Sequence, residues 1–214
     1  PAVPRRINVR AEDIRPYEEV PMSSNSYRTA NTPVRRGMQY AFAAGSAACI
    51  AFALLYRRCG WSWARAAAVT GGAVACHMAL HFLAPVILAL ACRRQYRADS
   101  WWFRPKAWEA PLYRFLRVKA WKKSALTYDP REFSLKEHSI EEVINNMCHS
   151  EAVHELCAAL AVTTLLLAVP FGAFPVFLLT AILAAGIDLA FAAIQRYNRP
   201  RLMRIRDRRG GDRL

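Results

Sequence analysis

NMCHSEAVHELCAALAVTTLLLAV, residues 146–169, ends in a run suited to hydrocarbon and begins with four titratable groups, His149, Glu151, His154 and Glu155. On a helix turning about 100° per residue, Glu151, His154 and Glu155 share one face with Cys148 beside them, and His149 points away. The apolar stretch from about Ala152 to Val169 reads as a membrane-spanning helix with an acid, an imidazole and a second acid at its entrance. The two histidines are five residues apart with Ser150 after the first, so a zincin HExxH helix, which needs a spacing of four and an adjacent Glu, is excluded.

Upstream, Met38–Tyr56 is a run of 19 uncharged residues, enough at about 1.5 Å each to cross a hydrocarbon core. Trp63–Cys92 carries only Arg65 as a full charge, and residues 171–195 carry only Asp188. The chain therefore reads as all-α, an integral membrane bundle of four transmembrane helices (about 38–56, 63–92, 152–169 and 171–195). An extended or disordered N-terminal arm, 1–37, precedes the membrane domain, 38–206, and a basic tail, 207–214, follows it. In the interfacial loop 93–145, Trp108, Leu112, Phe115 and Leu116 share a helical face and Arg114 and Arg117 point away, which predicts an amphipathic helix lying in the headgroup layer.

The charge balance, 30 Lys+Arg against 16 Asp+Glu in 214 residues, would suggest nucleic acid in a soluble domain. Its placement argues for a membrane instead: 7 basic residues precede the first span, 12 fall in 93–140 and 8 follow residue 195, while none separates the last two spans. By the positive-inside rule both termini and the central loop face the cytoplasm or the matrix, in a bacterial inner membrane or an organellar one such as the mitochondrial inner membrane. No cleavable signal is expected, and a start at Pro1 suggests a processed chain. The six cysteines form no CxxC pair and read as small apolar residues rather than disulfides or zinc ligands; no metal site is expected, although His77, His81, Glu151, His154 and Asp188 would be chemically able to hold two metal ions.

His77 and His81 share a face inside the second span, and the up-and-down order of the spans predicts that His81, Glu151, His154 and Asp188 meet in the cytoplasmic half of the bundle. There Glu151, one turn before His154, is placed to orient its imidazole and raise its basicity. Either histidine of the second span also suits a plain interhelical hydrogen bond. Glu155 suits a solvated acid in the first turn of its helix. At the exit of the fourth span, IQRYNRPRL (194–202) is expected to end at Pro200. Its Arg196, Asn198, Arg199 and Arg201 suit either a basic anchor or a fork for phosphate oxygens.

EEVINNMCHSEAVHE (141–155), IQRYNRPRL and the upstream WWFRPKAWEAPLYRFLRVKAWKK (101–123) together resemble the bacterial membrane family of glycosyl-diaponeurosporenoate acyltransferases, over about residues 100–206. The Glu151/His154 pair, the RYNRPR string and the Trp121–Lys122 pair carry the likeness. His149, Glu155 and Asp188 depart from it, standing where the family has a basic, an aromatic and often an Asn residue. The resemblance implies transfer of a fatty acyl group to a hydroxyl of a membrane glycolipid or isoprenoid glycoside. In that scheme His154 is the general base, Glu151 holds its ring, and Arg199 and Arg201 bind the phosphates of an acyl-CoA or acyl-carrier donor, with no resident cofactor. The alternative is a non-catalytic accessory transmembrane subunit of a larger membrane complex, binding membrane lipids and reaching neighbouring subunits through the 1–37 arm.

Overall fold

The computed structural model describes residues 32–93, 95–122, 125, 129–172 and 174–211, so residues 1–31 of the arm lie outside the described part. Every regular element among the described residues is a helix. The first, α1 (Pro33–Cys59), starts ahead of its apolar run because Thr32 caps it, accepting from the Arg35 N–H at 3.3 Å, and Pro33 fits the first turn. Gly60, at φ 68°, closes it and returns the chain into α2 (Ser62–Cys92). The two helices meet where Gly45 faces Gly71, each so close that an added Cβ would sit 2.8 Å from the other's carbonyl oxygen.

The expected amphipathic helix is two short helices, α3 (Glu109–Phe115) and α4 (Val118–Trp121), separated at Arg117, whose φ of 51° cannot continue a right-handed helix. Trp108, Leu112, Phe115 and Leu116 do lie exposed, while Glu109 and Tyr113 are buried on the opposite side. The segment thus offers its apolar face to lipid and its polar face to the bundle.

The third span begins at Ile140 rather than near Ala152. Ser139 and Glu142 form a reciprocal capping box at the start of α5 (Ile140–Thr163), and this outweighs the polarity of the first turns. A 3₁₀ turn (Thr164–Leu167) and α6 (Ala168–Phe171) complete the crossing. The fourth helix, α7 (Phe174–Gly211), runs straight through Pro200 instead of ending there. Pro200 removes only the N–H that would reach the Arg196 carbonyl, and buried Arg199 and Leu202 anchor the helix on either side of the gap.

The helices assemble as α1 on α2, α2 on α5 and α5 on α7. Ala84 of α2 packs on Val153 and Cys157 of α5 at mid-bundle, and a second core joins Phe103, Val143, Ile144, Met147, Cys148 and Leu202 at the polar end. Leu90, Leu166, Val169 and Ile182 remain outward and exposed. With four helices among the described residues long and apolar enough to cross a bilayer, that surface is the lipid-facing side of a multi-pass membrane protein.

Gly71→Val is expected to lower stability by about 1–3 kcal/mol, because its Cβ would meet the Gly45 carbonyl oxygen and the Cys49 nitrogen of the α1 backbone at 2.8 and 2.9 Å. Gly186→Ala, with nothing within 4 Å, is expected to be neutral or mildly stabilising. Thermal unfolding of both variants in detergent measures the difference.

Candidate active site

Two polar clusters lie along α7, eight residues or about 12 Å apart. The deeper one centres on Asp188, which is 1% exposed. Its Oδ1 lies 2.8 Å from His154 Nδ1 on α5 and 3.1 Å from His81 Nε2 on α2, so one carboxylate ties three helices together. A carboxylate offers no proton, so His154 donates from Nδ1 and its Nε2 is left with a bare lone pair. Phe191, one turn beyond Asp188, stacks on the His154 ring with centroids 5.0 Å apart and a 19° tilt, which fixes the ring plane. Phe191 is also a wall of an apolar hollow of about 250 Å³, together with Trp121, Ile187, Ala190 and Ile194. Cys157, one turn past His154, is buried beside this cluster.

The cluster nearer the polar end is built on Glu151 and Arg199, which are 0% and 1% exposed and directly ion-paired. Arg199 also donates to the Phe103 carbonyl at 2.5 Å and lies over that residue's ring. Arg196 donates to Glu151 at 2.9 Å, Glu109 at 2.9 Å, Glu155 at 3.3 Å and the Trp102 carbonyl at 3.1 Å. The Trp102 indole donates to Glu155 at 2.7 Å. Tyr113 donates to Glu109 at 3.3 Å, and burial, with the Glu109 charge adding to it, pushes its hydroxyl above the usual phenol range.

This geometry redistributes the roles read from the sequence. His81, His154 and Asp188 converge, but Glu151 does not hold the His154 ring. Glu151 and His154 share a face of α5, yet the guanidiniums of α7 are level with Glu151 and Asp188 is level with His154. Glu155 is not a solvated first-turn acid but lies near the middle of α5, engaged by Arg196 and Trp102. Nor do the arginines form an open phosphate fork. Three carboxylates meet two guanidiniums in the Arg196/Arg199 cluster, which leaves no positive surplus there. Asn198 accepts from Lys122 Nζ at 2.8 Å, and Arg201 donates to the Tyr197 carbonyl at 2.6 Å while stacking over its ring. His149 sits off this face, hydrogen-bonded to the Tyr96 hydroxyl at 2.9 Å. His77 donates from Nδ1 to the Ala73 carbonyl at 2.9 Å, and among the described residues its buried Nε2 has no partner.

The sequence reading missed Glu109, Trp102, Phe191 and Cys157. Glu109 had a signal, since Asp99 and Glu109 are the only acids in the basic, aromatic stretch 95–123. Cys157 and Phe191 each stand three residues from a singled-out group, at the spacing of one helical turn.

Fold and site together define a helical, multi-pass membrane protein with a carboxylate–imidazole pair held between its spans. The family description for glycosyl-4,4'-diaponeurosporenoate acyltransferase matches residues 99–208, just over half of the chain, from the segment before α3 to near the end of α7. The chain belongs to this acyltransferase family. No curated protein and no solved structure matches it. His154, Asp188, Cys157 and the whole Arg196/Arg199 cluster fall within the matched range, and His81 precedes it.

Glu151→Gln is expected to destabilise the protein by about 3–5 kcal/mol, since Arg199 would keep its buried charge without the carboxylate. Arg201→Ala, which loses a cation–π contact and one backbone hydrogen bond, is expected to cost about 1 kcal/mol. Unfolding midpoints in the same detergent compare the two.

Proposed function

We propose that the chain transfers a fatty acyl group to a hydroxyl of a membrane-dissolved glycolipid or isoprenoid glycoside, with His154 as the general base and Asp188 as the group that holds it. The observation that carries this reading is the 2.8 Å contact between His154 Nδ1 and Asp188 Oδ1, which leaves Nε2 free to accept a proton. Family membership supports the reaction class.

The acceptor oxygen attacks the carbonyl carbon of a thioester donor, an acyl-CoA or acyl carrier, and its proton passes to His154 Nε2. The carbon–sulfur bond then breaks, and the thiolate takes that proton from the imidazolium, which returns to its neutral form. The apolar hollow beside Phe191 suits an acyl chain, because its walls offer Trp121, Ile187 and Ile194 rather than polar groups. Membrane lipids are accordingly the first partners to expect. The 12 basic residues of 93–140 support an orientation with this end of the bundle toward the cytoplasm or matrix, where a soluble donor is available. The family match gives no support to the alternative of an accessory subunit.

His154→Ala is expected to lower kcat by about 10²–10⁴-fold while the helical circular dichroism is retained. Asp188→Asn is expected to fall in the same range, because the amide no longer selects the reactive tautomer. Transfer of a labelled acyl group to glycolipid by purified protein in nanodiscs measures both. Undiminished transfer by His154→Ala would sink the reading.

A further inference from the structure

We propose that His81, Cys157 and Asp188 form a binding site for a single divalent transition-metal ion of the zinc class. His81 faces two acceptors across its ring. Its Nδ1 lies 2.9 Å from the His77 carbonyl oxygen, which only accepts, so that nitrogen carries the ring proton. The neutral ring then presents a bare lone pair at Nε2, and 3.1 Å away it meets Asp188 Oδ1, a second acceptor. Two acceptors facing each other at that distance require a cation between them.

A proton would satisfy those two atoms and would need no third group. The third group is nevertheless present. Cys157, 2% exposed, places its sulfur so that the three donor atoms all lie within 4.8 Å of one another. No hydrogen-bond partner occupies this thiol among the described residues. The donors come from three different helices, α2, α5 and α7. Zinc takes nitrogen and oxygen ligands at about 2.0–2.2 Å and sulfur at about 2.3 Å, which in a tetrahedron sets donor atoms about 3.3–3.7 Å apart. His81 and Asp188 are already near that spacing, and Cys157 needs to close by at most about 1.5 Å.

Three further features fit a metal. The Nδ1–H of His81 bonded to a backbone carbonyl is the arrangement that fixes a metal-ligating imidazole. Imidazole, thiolate and carboxylate together favour zinc over magnesium or calcium, which prefer oxygen alone. A dication, a thiolate and a carboxylate sum to zero charge with His81 neutral, which suits a site inside an apolar bundle. His154 stays outside the ligand set, because its Nδ1–H donates to the same carboxylate. Three protein ligands leave one coordination position for an exchangeable group.

The test uses the full chain in nanodiscs, with Cys49, Cys59, Cys76 and Cys92 replaced by Ser so that Cys148 and Cys157 are the remaining thiols. The protein is stripped with chelator and titrated with Co²⁺ and then Zn²⁺. One equivalent of cobalt is expected, with a tetrahedral visible spectrum and a sulfur-to-cobalt charge-transfer band that zinc abolishes. Cys157→Ser is expected to lose that band, and His81→Ala to weaken binding about tenfold or more. Cys148→Ser and His154→Ala are expected to keep both band and stoichiometry. Absence of bound cobalt, or a spectrum without a sulfur band, would show that a proton joins His81 to Asp188. Binding that survives both Cys157→Ser and His81→Ala would be adventitious metal and would equally overturn the site. Because the readout is metal content and spectrum, its failure leaves the acyl-transfer reading standing, and loss of transfer in His154→Ala says nothing against the metal.

Discussion

Arg199 and Glu151 are both shut away from solvent where α5 and α7 leave the apolar core. Either charge alone in such a place would cost several kcal/mol, so neither helix can shift without the other. While the buried Nε of Arg199 finds no partner among the described residues, its Nη2 and the whole of Arg196 draw in groups that would otherwise have no reason to approach. These are the Phe103 and Trp102 carbonyls and the carboxylates of Glu109 and Glu155. The interfacial segment is therefore folded onto the bundle chiefly by the need to satisfy guanidiniums. That explains why α3 keeps Glu109 and Tyr113 inside and turns Phe115 and Trp108 outward to lipid.

Below this charged layer the chemistry changes. Around Asp188 there are two imidazoles, a thiol and an aromatic ring, with an apolar hollow alongside. The separation keeps the arginines from competing for Asp188 and the histidines from competing for Glu151. The two sequence strings that mark the family are one physical unit: Lys122, of the Trp-Lys pair, bonds Asn198 of RYNRPR and lies 4.7 Å from the Tyr197 ring, while Trp121 walls the hollow beneath. That unit sets the lateral position of α7, and with it the position of Asp188 against His154.

Much of this was legible in the sequence. The four spans follow from length and hydropathy, and the meeting of His81, His154 and Asp188 follows from alternating span direction with helical spacing. The start of α5 was also written, as Ser139-x-x-Glu142, but the charged turns after it resemble a loop when the apolar run alone is taken as the helix. A helical wheel shows which groups share a face and says nothing about which group across the bundle stands at the same height. For that reason the sequence pairs Glu151 with the imidazole that Asp188 holds, and offers the arginines of α7 as an anchor or a phosphate fork. Cys157 reads as a small apolar residue because nothing in a linear pattern places it against His81, 76 positions earlier.

The length of α7 acts as a depth gauge. Its 38 residues extend about 57 Å, nearly twice the thickness of a hydrocarbon layer of about 30 Å. With Phe174 at the far boundary, the 14 residues to Asp188 cover about 21 Å and the next eight to Arg196 bring the total to about 33 Å. Arg196 then stands level with the lipid phosphates, and Asp188 lies about 12 Å beneath them. Whatever molecule reaches His154 must sink its polar end below that of its neighbours in the leaflet, into a layer where water is scarce. Flexibility of the amphiphile's neck, as much as the shape of its head, becomes a condition of entry.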